Sequence, residues 1–157
     1  MARHYDSKTF KTSTSLGYLL KVAHTRLHDC AAQSFATHDI SLIQWIVLMK
    51  LHEGTARTAG DLCKRMHYDT GAVTRMIDQL EERGYVKRER SLEDRRVVEL
   101  QLTRSGRSKI TQLTPLMVDK LNGALADFSA AEFGELTRLL HKLIHNLDQA
   151  GQTGSSA

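Results

Sequence analysis

Between Tyr85 and Leu102 the apolar residues of this chain change their period, and that change restricts the fold more than any other feature. On either side, apolar residues recur every three or four positions, the repeat of a helix with one buried face. Within the stretch they alternate: Val98, Leu100 and Leu102 point one way, Glu99 and Gln101 the other. Tyr85–Arg90 and Val97–Leu102 therefore read as two short strands, joined by the charged loop Ser91, Leu92, Glu93, Asp94, Arg95, Arg96. The expected fold class is mainly α with a small β-hairpin.

The helices announce their own ends. Leu16, Leu19, Leu20, Ala23, Leu27, Cys30, Ala31 and Ser34 form one stripe of a long helix ending near Phe35. Ser41 caps a second helix, Leu42–Leu51, which Gly54 stops; its near-continuous apolar surface belongs in the middle of a fold. Thr58 and Asp61 have the spacing of a capping box for a short helix through Met66. His67 and Tyr68 make a turn, and Asp69 caps Thr70–Arg83, with Val73, Met76, Ile77 and Leu80 inward and Gly84 as the stop. Thr103 caps a helix from Arg104 to about Ala126 that Pro115 is expected to kink. Ser129 and Glu132 form a capping box for the last helix, striped by Phe133, Leu136, Leu140, Leu143 and Leu147.

Composition closes off other classes. The chain has 157 residues, enough for one core, and contains no apolar run of membrane-spanning length. The polar start, Met1 to Ser15, lacks the apolar stretch of a secretion signal, so a cytoplasmic location is expected. Cys30 and Cys63 are expected as free thiols in a reducing compartment. No Gly-rich phosphate loop, His-Glu-x-x-His or nucleophile elbow appears, so no enzyme and no cofactor is expected. A net charge of +4 hints at an anionic partner; where the charge sits matters more.

The order helix, turn, helix, hairpin is that of a winged helix-turn-helix, in which a helix enters the major groove of DNA and the hairpin reaches the adjacent minor groove or backbone. With Val73 at the centre of the buried face, Gly71, Arg75, Asp78 and Gln79 turn outward. Thr70, Gly71, Ala72 and Thr74 keep the helix start small and polar, so it can approach bases and phosphates closely. Arg75 suits a bidentate pair to guanine or a phosphate clamp. Lys87, Arg88, Arg90, Arg95 and Arg96 cluster on or beside the hairpin, with Lys64 and Arg65 on the preceding helix. Any one of these reads equally as solvated surface; the set on one module points to duplex DNA.

Ala72-Val73-Thr74-Arg75, then Leu80-Glu81-Glu82-Arg83-Gly84-Tyr85-Val86, Asp94-Arg95-Arg96, and Leu102-Thr103 with Gly106 resemble the multiple-antibiotic-resistance regulator (MarR) family. The resemblance runs from about Leu16 to Leu147. It implies a dimer whose N- and C-terminal helices intertwine and whose two recognition helices meet a pseudo-palindromic operator. It also implies a wing arginine entering the minor groove: Arg96, with Asp94 as its orienter and Arg95 contacting phosphate. Gly71 stands where many members have serine, so a hydroxyl contact is lost.

The expected organisation is a flexible segment at 1–14, dimerisation helices at 15–36 and 104–149, the winged region at 40–103, and a disordered tail at 150–157. The apolar stripes of the first and last helices are expected to pack against a second copy in a homodimer, the alternative being a monomeric bundle. Family members respond to small aromatic or phenolic molecules, for which Tyr18, His38, Trp45, Met49 and Met66 are candidate wall residues; Trp45, Met49 and Met66 also read as core packing. The expected function is a DNA-binding regulator, by default a repressor released by such an effector. Alternatives are redox sensing through Cys30 or Cys63 and metal sensing through the pairs His24/His28 and His141/His145. A different class altogether is a winged protein-interaction module.

Overall fold

Among the described residues, six helices and one hairpin follow from local signals, each helix opened by a side-chain cap. The computed structural model describes residues 3–153. After a short 3-10 turn at Thr12–Thr14, helix α1 runs over Leu16–Phe35, with the Ser15 hydroxyl accepting the Tyr18 N–H at 3.3 Å. In the described part of the segment expected to be flexible, the Tyr5 hydroxyl accepts the Leu16 N–H at 2.8 Å and its ring meets Phe10 edge-on. Helix α2, Leu42–His52, opens on a capping box between Ser41 and Gln44. Helix α3, Ala59–Met66, has the reciprocal Thr58–Asp61 bonds, and His67 turns the chain at φ 54°.

Helix α4, Thr70–Glu82, starts at Asp69, whose carboxylate takes the Ala72 N–H at 2.9 Å. It ends in a Schellman motif: the Gly84 N–H reaches the Glu81 carbonyl and the Tyr85 N–H the Leu80 carbonyl, both at 2.9 Å, with Gly84 at φ 72°. That motif takes the Tyr85 N–H away from the sheet, so strand β1 is Val86–Arg90, one residue shorter than expected. Strand β2 is Val98–Leu102, antiparallel to β1 from Val86 opposite Leu102 to Arg90 opposite Val98. Val97 drops out of it because its N–H turns back to the Asp94 carbonyl.

Helix α5, Arg104–Ala124, begins where the Thr103 hydroxyl accepts the Gly106 N–H at 3.0 Å. It runs on through Pro115, and it closes two residues before the expected Ala126 in tighter turns bonded from Leu125 to Asn122 and from Ala126 to Gly123. Helix α6, Ala130–Thr153, carries the full Ser129–Glu132 capping box. It extends past the expected boundary at 149, while 154–157 of the expected tail lie outside the described residues.

The chain divides after Lys120 into two compact units. The first holds the core: Val47, Leu48, Leu62, Val73, Ile77, Leu80 and Leu113 are almost fully buried, and Val86, Leu100 and Leu102 supply the inner face of the hairpin. Burying such side chains stabilises by about 1.5–3 kcal/mol each relative to exposure. The alternation stops mattering at the far end of the wing, where Val98 lies beyond the core and is exposed. The Leu100 N–H donates to the Arg57 carbonyl at 2.8 Å, tying the wing to the segment before α3. In the second unit the apolar side chains Phe133, Leu136, Leu139, Ile144 and Leu147 are all exposed in the single chain.

One close approach fixes the junction of wing and α5. A Cβ placed on Gly106 would lie 2.1 Å from the Tyr85 carbonyl oxygen, which also accepts the Thr103 N–H. Backbone cannot swing aside as a side-chain tip can. Gly106→Ala should therefore destabilise at or above the upper end of the about 1–3 kcal/mol usual for overpacking. Thermal unfolding measures this; a variant melting with the parent protein would contradict the contact.

Candidate nucleic-acid interface

Helix α4 divides its polar side chains between two tasks. In its first turns Thr70, Gly71, Thr74 and Arg75 are exposed and Ala72 is half-buried. The Thr74 hydroxyl donates to the Thr70 carbonyl at 2.8 Å, leaving its lone pairs outward. Arg75 enters none of the ion pairs among the described residues. A Cβ on Gly71 would stand 3.2 Å from the Asp69 carboxylate, so the glycine also leaves room for the cap.

Further along, the outward residues are engaged within the protein. Arg88 of β1 bonds Asp78 at 2.5 Å and Glu81 beside it, and Glu81 also takes the Arg88 backbone N–H at 3.0 Å. Burial alone would depress the Arg88 guanidinium, but the bonds to Asp78 and Glu81 outweigh it and hold it above its ordinary value. On the other side, Gln44 of α2 donates to the Gln79 side-chain oxygen at 2.6 Å and accepts from Arg83 at 3.0 Å. Two of the sequence-expected contacts, Arg88 and Gln79, thus already have protein partners. So does Lys87, which pairs with Glu89.

The wing tip is ordered by its own backbone. Ser91, buried, donates its N–H to the Val97 carbonyl at 2.9 Å and closes the loop. Asp94 accepts the Arg96 backbone N–H at 2.9 Å. The resemblance assigns Asp94 to the Arg96 side chain; here the carboxylate grips the amide instead, and no Asp94–Arg96 ion pair occurs among the described residues. Arg95 and Arg96 are left exposed and unpaired in ion pairs, like Arg75.

A three-member latch went unseen in the sequence. The buried Tyr85 hydroxyl donates to Asp39, and Lys109 of α5 sits 2.9 Å from the same carboxylate and 5.3 Å over the Tyr85 ring. The hydrogen bond from Tyr85, with help from Lys109, holds the Asp39 carboxyl below its usual range against the opposing effect of burial. The Asp39 hydrogen bond likewise raises Lys109. Burial first, then the Asp39 bond, raises Tyr85. A buried tyrosine hydroxyl needs a partner, which is the one sequence signal available; its identity depends on the fold.

A cleft of about 380 Å³ lies beside this latch, lined by Phe35, His38, Asp39, Gln44, Gln79 and Arg83 among others. Of the expected effector residues only His38 lines it. Trp45 is buried 5.7 Å from the Phe35 ring, Met49 and Met66 pack on the core, and Tyr18 is exposed on α1. Cys30, expected on a packed stripe, is exposed in the single chain, and Cys63 is half-buried near Thr70. His24 and His28 stack at 6.2 Å, but no group of three metal-ligating residues occurs among the described residues. No described helix is long and apolar enough to cross a membrane.

Comparison with known proteins agrees with this geometry. The sequence model of the MarR family matches residues 40–98. The transcriptional repressor MprA of Escherichia coli is 36% identical over 82 residues, covering 52% of this chain and 47% of that protein. The chain thus spans about half the length of that relative. An uncharacterised HTH-type regulator of Bacillus subtilis, YcgE, is 36% identical over 104 residues, 66% of each chain. Among solved structures, BpsR of Bordetella bronchiseptica, studied for regulation of its DNA binding by 6-hydroxynicotinic acid, superposes with a TM-score of 0.76 at 25% identity, over 85% of this chain and 96% of that one. A mutant of E. coli MarR complexed with operator DNA gives 0.73 at 29% identity, over 82% and 92%.

The latch has a defined pH window. Asp39 contributes stability that is full above the ordinary carboxylate range and lost as pH falls through its lowered value. Lys109 contributes stability that is full below the ordinary lysine range and lost as pH rises through its raised value. Asp39→Asn should therefore lower the unfolding free energy at neutral pH, by about 1 kcal/mol or less given solvent screening of the pair. The gap to the parent protein should close well below the carboxylate range; a gap independent of pH would remove the charge from the explanation.

Proposed function

Because the chain belongs to the MarR family, a family of transcriptional regulators rather than enzymes, we propose that it is a dimeric regulator that reads duplex DNA. One observation carries this reading: Arg75 on the open first turns of α4, and Arg95 and Arg96 on an ordered wing, are exposed cations without ion-pair partners among the described residues. Cations held ready in this way suit phosphate and base edges, whereas Arg88 and Lys87 have their charge met at home. The related E. coli protein bound to operator DNA supports the same use of the fold.

A homodimer is supported by the apolar side chains that α1 and α6 expose in the single chain, Leu16, Leu19 and Leu27 on one, Phe133, Leu136 and Ile144 on the other. Packed against a second copy, they present two recognition helices to half-sites about 34–36 Å apart. A pseudo-palindromic operator follows from the two-fold axis. The regulator acts by default as a repressor that occludes a promoter, in the cytoplasm where the chromosome is. The cleft holding His38, Arg83 and Gln79 gives a small aromatic or phenolic anion a place beside the recognition helix, and the effector-regulated DNA binding of the BpsR relative favours this.

Gel-shift titration on the duplex flanking the protein's own gene tests the reading. Arg75→Ala should cost about 1–3 kcal/mol and relax base preference, and Arg96→Ala should weaken binding substantially. Affinity should fall steeply between two salt concentrations. Absent or salt-insensitive binding sinks the proposal. A screen of small aromatic acids for release of bound duplex tests the effector.

A further inference from the structure

We infer that Gln44, a buried residue that touches no DNA, decides how Gln79 meets a base: it holds the Gln79 amide with its oxygen turned inward and its NH2 group outward. The inference rests on the reading of α4 as a recognition helix. It begins with a question of orientation, since the two ends of an amide have the same shape and opposite chemistry.

For Gln44 the environment answers it. The side chain is 5% exposed. One end receives the Ser41 backbone N–H at 3.0 Å and the Arg83 guanidinium at 3.0 Å. Both partners can only donate, so this end is the oxygen; reversed, an NH2 group would face two donors in a buried site. The other end is then the NH2 group, and it lies 2.6 Å from Gln79. It needs an acceptor there, so Gln79 must turn its oxygen inward. What Gln79 turns toward a partner outside the protein is its NH2 group, while its oxygen faces Gln44 with one of its two lone pairs taken.

Gln79 is exposed, on the same side of α4 as Arg75 and about 6 Å further along the axis. Glutamine ordinarily pairs with adenine in the major groove through both amide ends, giving to N7 and taking from the N6 amino group. Here the oxygen is turned toward Gln44, so the second half of that pair is weakened. Adenine still offers N7 but sets its N6 amino donor against the Gln79 NH2 group, whereas guanine offers two acceptors, N7 and O6, and thymine offers O4. The position read by Gln79 should therefore favour guanine or thymine over adenine, although unconstrained glutamine chemistry favours adenine.

Gln44→Glu reverses the logic with little structural cost, because Glu is the commoner partner of Ser in a capping box. A carboxylate still accepts from Ser41 and Arg83, but its second oxygen faces Gln79 as an acceptor. Gln79 must then rotate, giving its NH2 group inward and leaving its oxygen out. The preferred base becomes one that donates, cytosine or adenine.

Duplexes enriched from a randomised pool by the full-length protein test this. The unaltered protein should enrich guanine or thymine at one position per half-site, with adenine depleted about tenfold, and Gln79→Ala should erase that preference alone. Gln44→Glu should change the same position to cytosine or adenine. The same base enriched by both proteins overturns the inference, as does adenine chosen by the unaltered protein. A pool unchanged by Gln79→Ala overturns it too, even if Gln44→Glu fails to fold. If the unaltered protein enriches nothing, DNA reading itself fails, a result distinct from these.

Discussion

The backbone at Tyr85 is where α4, the hairpin and α5 are joined, and the geometry of the rest depends on it. Its N–H closes α4 and its carbonyl receives Thr103 at the start of α5 while pressing on the bare Cα of Gly106. Its hydroxyl reaches Asp39, which also pairs with Lys109. One residue thus sets where the helix stops, where the hairpin starts and how α5 departs. The backbone bonds are modest alone, a neutral hydrogen bond contributing about 0.5–1.5 kcal/mol net, and the Tyr85 hydroxyl bond to the Asp39 carboxylate is the stronger, charge-assisted one. Their convergence on a buried residue makes alternatives to this arrangement expensive, since leaving any one of them means an unsatisfied polar group in the core.

From that junction the polar groups of α4 sort themselves. Those near its C-terminal end hold it in place: Asp78 and Glu81 against the wing through Arg88, Gln79 and Arg83 against α2 through Gln44. Those near its N-terminal end are left to solvent. The two struts approach from opposite flanks, so the helix is braced against rotation about its own axis, the motion that would most disturb which side chains face a groove.

Local signals were legible in the residues, and long-range pairings were not. Each cap at Ser41, Thr58, Asp69, Thr103 and Ser129 could be read because a cap and its partner lie within three residues. The strands were misjudged by one residue at Tyr85 and Val97, where turn hydrogen bonds compete with the ladder for the same N–H. The charge of Arg88 was visible, but its partners are set by the hairpin folding back on α4, which no spacing encodes. Choosing effector residues by chemical type picked Trp45, Met49 and Met66, the types a core also recruits. The polar residues of the cleft beside the latch, Asp39, Gln44, Gln79 and Arg83, come from three separate segments. The Asp39–Tyr85–Lys109 latch was invisible for the same reason.

The closed tip of the hairpin has a thermodynamic consequence. Ser91 and Val97 bridge its neck, and Asp94 fixes the amide of Arg96 inside it. A loose loop carrying two arginines would forfeit about 1–2 kcal/mol of backbone freedom for every residue immobilised on contact with a partner. Here much of that freedom is already surrendered when the chain folds. Capture of a polyanion by this hairpin then resembles the meeting of two shaped surfaces more than the stiffening of a tether, and its heat signature should carry little of the ordering entropy that flexible basic arms display.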